Sequence, residues 1–339
     1  MTNVLITADW HLSDNLRDSY RQEFINTLPL QIVKHKVRLL LVLGDLTEEK
    51  DRHAARLVNN IVNCLSRLAT TCPIIVLKGN HDYVADPTTP YFRFLSKLPD
   101  ILWINEPTPS EKLPGSIQEI LGEPALFLPH TRDYQQDWKI FDFNKYQLFF
   151  CHQTFAGADS GNGMFLDGIL STVFPSTALV FSGDIHKPQR IDQIRYCGAP
   201  YTVNFGDNYK PRMLLLTDKE VVSIPCAGIQ KRLVEIKSLD ELKHQPELNP
   251  GDILKIRMSL TPEQRSDWPN MQKTIYAWGE KQGFVVHAVQ PTINVAGLIA
   301  KSIDCRKPKS DEELLTQYAN KHNIDDRTLR TGLELLRAK

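Results

Sequence analysis

Five short blocks of carboxylate, imidazole and amide side chains lie between residues 9 and 186: Asp9-Trp10-His11, Gly44-Asp45, Gly79-Asn80-His81-Asp82, Cys151-His152 and Gly183-Asp184-Ile185-His186. Asp and His donors, with water and a carboxylate that can bridge, suit Mn²⁺, Mg²⁺ or Fe rather than a thiolate-bound zinc. Two such ions roughly 3.5–4 Å apart can clamp a phosphate, activate water at neutral pH and stabilise both the entering and the leaving oxygen. Phosphoester hydrolysis is the reaction such a constellation serves best.

Residues so far apart in sequence can share a site only if the fold gathers them. Each block follows a short apolar run: Val4 to Ile6, Leu39 to Leu43, Ile74 to Leu77, Leu148 to Phe150, and Leu179 to Phe181. Runs of this length and composition predict buried strands of an α/β sheet, and loops at the carboxyl ends of neighbouring strands converge on one pocket. Between the first strands, Tyr20, Phe24, Ile25, Leu28, Ile32 and Val33 recur at helical spacing, with Pro29 expected to kink or interrupt the helix. Leu57, Val58, Ile61, Val62, Leu65 and Leu68 mark a second helical face. Strand, helix and strand with short connections imply parallel pairing in the first half.

From Ala125 the strands shorten and helices become scarce, which predicts a second, more antiparallel sheet packed on the first. The stretch from Gly157 to Gly168 holds four glycines and reads as a loop directly after the His152 block. The expected fold is therefore a two-sheet α/β/β/α sandwich over residues 1–225. A small α/β cap follows at 226–300, with a strand at Ile253 to Leu260, a helix starting at Thr261-Pro262, and another strand at Phe284 to Val289. A helical segment occupies 301–339: Ser310-Asp311-Glu312-Glu313 is a capping pattern, and a second short helix follows a turn at Asn323. That helix pair has too little apolar surface for a core of its own, so it either packs on the body or docks on a partner.

Composition sets the outer limits. The 339 residues, 42% hydrophobic and 24% charged, are ordinary for a globular protein. No apolar run nears the roughly 20 residues that span a bilayer, and the N-terminus leads straight into a strand, so a cytoplasmic location is the expectation. Six cysteines without paired spacing read as reduced, mostly buried thiols. Forty basic residues balance forty acidic ones, so any nucleic-acid surface must be a local patch.

The blocks, in this order, resemble the calcineurin-like metallophosphoesterase superfamily, whose signature is Asp-x-His, Gly-Asp, Gly-Asn-His-Asp or -Glu, a later His, and Gly-His-x-His. The resemblance implies that Asp9, His11, Asp45 and His186 hold one ion, and that Asp45 bridges to a second held with Asn80, His152 and Asp184. It makes His81 the residue that protonates the leaving oxygen or stabilises the transition state, oriented by Asp82, with no covalent protein intermediate. Asp184 stands where the family usually has histidine. It is either a ligand of the second ion, favouring Mn²⁺ or Mg²⁺, or an outer-shell residue beside a weakened site.

The stretches Gly44-Asp45-Leu46-Thr47-Glu48-Glu49 and Gly79-Asn80-His81-Asp82 lack the marks of protein Ser/Thr phosphatases. The region from His186-Lys187-Pro188 through Tyr196-Cys197-Gly198-Ala199-Pro200 to Asn204-Phe205-Gly206-Asp207 is similar to that of SbcD-type DNA-repair nucleases, including compact bacterial or tailed-phage versions. That narrower resemblance implies Mn²⁺-dependent exonuclease action on double-stranded DNA, endonuclease action on single strands, a homodimer, and an SMC-like ATPase partner held by the C-terminal helices. For a phage-encoded chain the compartment is the host cytoplasm. Lys187, Arg190, Arg195, Lys210 and Arg212 are candidate DNA-backbone contacts because they lie close in sequence to the metal loops. A small-molecule phosphodiesterase or nucleotidase of the same superfamily, or a catalytically weak scaffold for the ATPase, are the competing readings.

Overall fold

The computed structural model describes residues 2–50, 52–82, 91–161, 163–245, 247–293, 311–321 and 324–337. The Ser310 cap, the turn at Asn323 and the division placed at residues 300–301 lie outside them.

Strands β1 (Asn3–Thr7), β2 (Leu39–Leu43), β3 (Ile74–Leu77) and β4 (Ile101–Ile104) come first. They are followed by β5 (Thr108–Pro109), β6 (Ala125–Leu128), β7 (Leu148–His152), β8 (Leu179–Gly183), β9 (Gln189–Ile191) and β10 (Ile194–Tyr196), then β11 (Arg212–Thr217) and β12 (Val221–Pro225). They form two six-stranded sheets, β12-β11-β1-β2-β3-β4 and β5-β6-β7-β8-β10-β9. In the first, β1 to β4 run parallel and β11 and β12 add antiparallel edges.

The second sheet differs from the antiparallel one expected. Its centre, β6-β7-β8-β10, is parallel, and only the edges β5 and β9 are antiparallel. Parallel neighbours need a crossover. Here the crossovers are the single-turn helix Tyr134–Trp138 and the glycine-rich loop, which carry little helical periodicity.

Alternation along the strands builds three apolar layers. Val4, Ile6, Leu41, Leu43, Ile75 and Leu77 of the first sheet meet Phe127, Phe150 and Phe181 of the second, all buried. The opposite face of the first sheet, with Leu5, Leu40, Val42 and Val76, packs against the helices α1 (Tyr20–Lys34) and α2 (Ala55–Ala69). The outer face of the second sheet is closed by an aromatic cluster around Trp138, Phe149, Phe155, Phe174 and Tyr196. Pro29 does not interrupt α1. Phe24, Ile25 and Leu28 before it and Ile32 after it are all buried on the same sheet, so packing holds both halves in line; Val33, expected on that face, is exposed.

Beyond β12, the strands β13 (Lys231–Ile236), β14 (Ile253–Leu260) and β15 (Val285–Ile293) form a third sheet, accompanied by the helix Trp268–Gln282. The Thr261-Pro262 start yields only a 3-10 turn at Glu263–Asp267, and the α-helix begins at Trp268. By packing, the chain divides into two units: Met1–Met258 with Ser266–Pro291, and Ser259–Arg265 with Thr292–Lys339. Within the first unit, Gln230 Oε1 accepts from Thr202 N at 2.9 Å, and Lys231 N donates to Thr202 Oγ1 at 2.6 Å. In the second, the helices Asp311–Lys321 and Asp326–Arg337 approach closely where Gly332 lies under Leu315.

Candidate metal centre

All five blocks sit at the carboxyl ends of β1, β2, β3, β7 and β8. The first two zip together: Asp9 N donates to Gly44 O at 3.1 Å and His11 N to Asp45 O at 2.9 Å. Asp9, His11, Asp45 and Asp184 all adopt left-handed backbone conformations, with φ of 54°, 42°, 55° and 82°. Non-glycine residues occupy this region sparsely, and such strain concentrates at functional sites. The glycines permit the crowding. A Cβ on Gly44 would lie 2.3 Å from His152 Nδ1, and one on Gly79 would lie 2.1 Å from Asp45 Oδ1.

Asp45 is central. Its Oδ1 accepts from His81 N at 2.8 Å and lies 3.4 Å from His152 Nε2, while Oδ2 lies 3.6 Å from His11 Nε2. One donor atom each from Asp9, Asp45 and His152 lie within 4.8 Å of one another, and the same holds for His11, Asp45 and His81. The imidazoles are oriented by backbone carbonyls. His152 Nδ1 is 2.7 Å from Leu43 O and His81 Nδ1 is 2.7 Å from Glu48 O, which makes each Nδ1 a donor to the backbone and leaves each Nε2 available to the site. His11 and His186 face each other with their Nε2 atoms 3.0 Å apart.

The donor set fits divalent cations. Asp9 Oδ2, Asn80 Oδ1 and His152 Nε2 are buried without a hydrogen-bond partner, which is costly unless something electropositive meets them. Burial, reinforced by the other acids, raises the Asp9 carboxyl well above its usual range. Burial works to lower His152, but Asp45, Asp9 and Asp184 outweigh it and raise its affinity for a proton. Burial lowers His11 and His186, keeping them neutral as ligands must be.

Residues 2–194 match the family model described as calcineurin-like phosphoesterase. The chain belongs to that family. Among curated proteins it is similar to the SbcD subunit of nuclease SbcCD from Escherichia coli strain K12, 26% identical over 321 aligned positions, covering 81% of this chain and 76% of that protein. Among solved structures, nuclease MPE of Pseudomonas putida is 14% identical at a TM-score of 0.31, covering 65% of this chain and 87% of that one. A dimetal phosphatase from Danio rerio is 12% identical at 0.34, covering 67% and 99%.

Of the residues the family pattern selects, the structure gathers Asp9, His11, Asp45, Asn80, His81, His152, Asp184 and His186 in one place. Asp82 plays a different part from the one expected. Its Oδ2 accepts from Asp45 N at 2.7 Å and Gly79 N at 2.8 Å, and its Oδ1 from Leu46 N at 2.9 Å, so it clamps the loops after β2 and β3 together. The His81 ring is oriented by Glu48 O instead.

Glu48 and Arg21 went unseen in the sequence. Arg21 Nη1 bonds both the His11 carbonyl and, at 2.8 Å, Glu48 Oε2, which stands 3.6 Å from His11 Nδ1. Glu48 follows Asp45 by three residues on the same loop, the one sequence cue to its place. Lys187 does not stand free: it pairs with Asp159, whose Oδ1 also accepts from Gly161 N at 2.8 Å. Lys210 is exposed.

Thr154 is a further contact. Its hydroxyl donates to Asp184 Oδ2, while Asp184 Oδ1 lies 3.8 Å from His152 Nε2. Asp184→Ala is expected to weaken the site for its looser cation by about 10–100-fold, and Thr154→Val by roughly 10-fold, as for outer partners that orient ligands. Both would appear as right-shifted Mn²⁺ titrations of bound metal. Superimposable titrations for wild type and Asp184→Ala would move Asp184 out of the coordination shell.

Proposed function

We propose that the chain is a two-metal DNA nuclease, exonucleolytic on double strands and endonucleolytic on single strands, acting in repair or recombination with an SMC-like ATPase. The observation that carries the hydrolytic reading is the position of Asp45 between two imidazoles, its Oδ2 3.6 Å from His11 Nε2 and its Oδ1 3.4 Å from His152 Nε2. The nuclease reading draws on the similarity to the SbcD subunit of nuclease SbcCD, which covers 81% of the chain and so extends past the phosphoesterase region at 2–194.

In this reading Asp9, His11, Asp45 and His186 hold one ion, and Asp45, Asn80, His152 and Asp184 the other, with Mn²⁺ the best match to the oxygen and nitrogen donors. Bound ions would supply Lewis-acid activation of water and charge neutralisation at the phosphate. The protein's own groups do the rest. His81, with Nδ1 committed to Glu48 O, presents Nε2 to protonate the leaving oxygen. Asp82 holds the Asp45 and Gly79 loops in register. Leu314, Tyr318 and Leu335 on the terminal helices are more than half exposed, apolar surface suited to docking the ATPase.

The test is Mn²⁺-dependent digestion of end-labelled duplex and single-stranded DNA by wild type and His81→Ala, with and without the ATPase. Wild type is expected to cut, chelation to stop it, and His81→Ala to slow it by about 10²–10⁴-fold, the usual worth of a general acid. Hydrolysis of a chromogenic phosphodiester with no cutting of either DNA would replace this reading with a small-molecule phosphodiesterase.

A further inference from the structure

Arg190 and Arg195 stand directly opposite each other on the antiparallel pair β9-β10. Like charges in that position destabilise a sheet pair. Arg212, at the start of β11 in the other sheet, adds a third guanidinium, held by Nη1 to Ser223 Oγ at 3.0 Å and Nη2 to Tyr196 O at 3.3 Å. The three line one cavity of about 280 Å³, together with Pro188 and Leu214.

Among the described residues no carboxylate relieves this cluster, and none of the three arginines forms an ion pair. Asp192, two residues from Arg190, commits its carboxylate to Ser171 Oγ at 2.5 Å and offers Arg190 Nε only a backbone carbonyl at 2.6 Å. The Nε atoms of Arg195 and Arg212 are buried without a partner. Burial, then the charges of Arg190 and Arg212, depress the pKa of Arg195. Arg195 and Arg212 are half-buried and Arg190 is exposed beside them; cations so close together, two of them partly desolvated and with unpartnered Nε atoms, are best completed by an anion.

We infer that Arg190, Arg195 and Arg212 form a binding pocket for one phosphate group at the edge where the two sheets meet, built from residues other than the metal ligands. Guanidinium donors match phosphate oxygens in forked pairs, which lysine cannot reproduce. The pocket begins at Pro188, two residues beyond His186, so a phosphate there is held by the same chain segment that carries a metal ligand. The pocket stands on its own geometry. Only the choice of a DNA backbone over a free phosphate as the source rests on the proposed nuclease function.

The experiment is done in EDTA, where hydrolysis plays no part. Melting temperature is measured with inorganic phosphate against chloride at matched ionic strength, and single-stranded oligonucleotide affinity is measured against salt. Wild type, Arg195→Gln, Arg190→Gln and, as a control, Lys97→Gln, at an exposed lysine outside every candidate contact, are compared. Phosphate is expected to raise the melting temperature of wild type and Lys97→Gln, and to do so far less for Arg195→Gln and Arg190→Gln. Without phosphate, Arg195→Gln and Arg190→Gln should melt no lower than wild type, because repulsion is relieved. A backbone phosphate as the source predicts about tenfold weaker oligonucleotide binding and a salt slope shallower by about one in both pocket variants alone. Loss of the phosphate response with unchanged oligonucleotide binding supports the pocket with a free phosphate as its ligand. An equal phosphate response in all four proteins overturns the pocket.

Discussion

Asp45→Asn is expected to reduce metal-dependent hydrolysis to the chelated background, a loss of at least about three orders of magnitude at 1.36 kcal/mol per tenfold. The two Asp45 oxygens serve different neighbours, Oδ1 facing His152 Nε2 at 3.4 Å and Oδ2 facing His11 Nε2 at 3.6 Å. In the proposed two-ion arrangement, removing the charge would weaken both ion sites at once, where loss of any other ligand would weaken one. Asparagine is the cleaner substitution because it tolerates the left-handed conformation at φ 55° better than alanine does. Bound Mn²⁺ per chain, measured by elemental analysis after equilibrium dialysis, should fall below that of wild type. Undiminished metal stoichiometry in Asp45→Asn would show that this carboxylate bridges nothing.

Asp82→Ala should be the most destabilising substitution of the site. It strands three buried backbone donors, on Asp45, Leu46 and Gly79, each costing about 1–3 kcal/mol when left unpaired. A total of about 3 kcal/mol or more should appear as a lower urea midpoint with an unchanged slope. Asp82→Asn should recover only part of this. With three N–H groups meeting two oxygens, an amide must turn its own NH₂ toward at least one donor. Activity should fall about 10–100-fold even where the variant stays folded, because the loops bearing Asp45 and Asn80 lose their common anchor. A urea midpoint within error of wild type would contradict the clamp.

The blocks and the strands beneath them were legible because both leave marks in one dimension: polar residues of fixed type, each after a run of aliphatic ones. Val4 to Ile6 and Leu39 to Leu43 sit at the positions the pattern predicts. The parallel centre of the second sheet was not legible, because its crossovers between β6, β7 and β8 lack the long amphipathic helices by which such connections are read. Pro29 misled for a related reason, since the local penalty is overridden by burial of Phe24, Leu28 and Ile32 on one sheet. Roles carried by backbone atoms have no signature at all. The Glu48 carbonyl that orients His81 and the three amides held by Asp82 are contacts any residue type could supply at one end. Thr154 and Asp184 are 30 residues apart, and no spacing rule joins them.

The two sheets contribute to the centre from opposite sides. Asp9, His11, Asp45 and Asn80 follow strands of the first, and His152, Asp184 and His186 end or follow strands of the second. A cation held by both sets would act as a rivet through the sandwich. Its binding energy would add to the cohesion of the layers, by about 4 kcal/mol at a thousand times the dissociation constant. The sandwich and its candidate site would then depend on each other, because separating the sheets would part the residues that hold the ion.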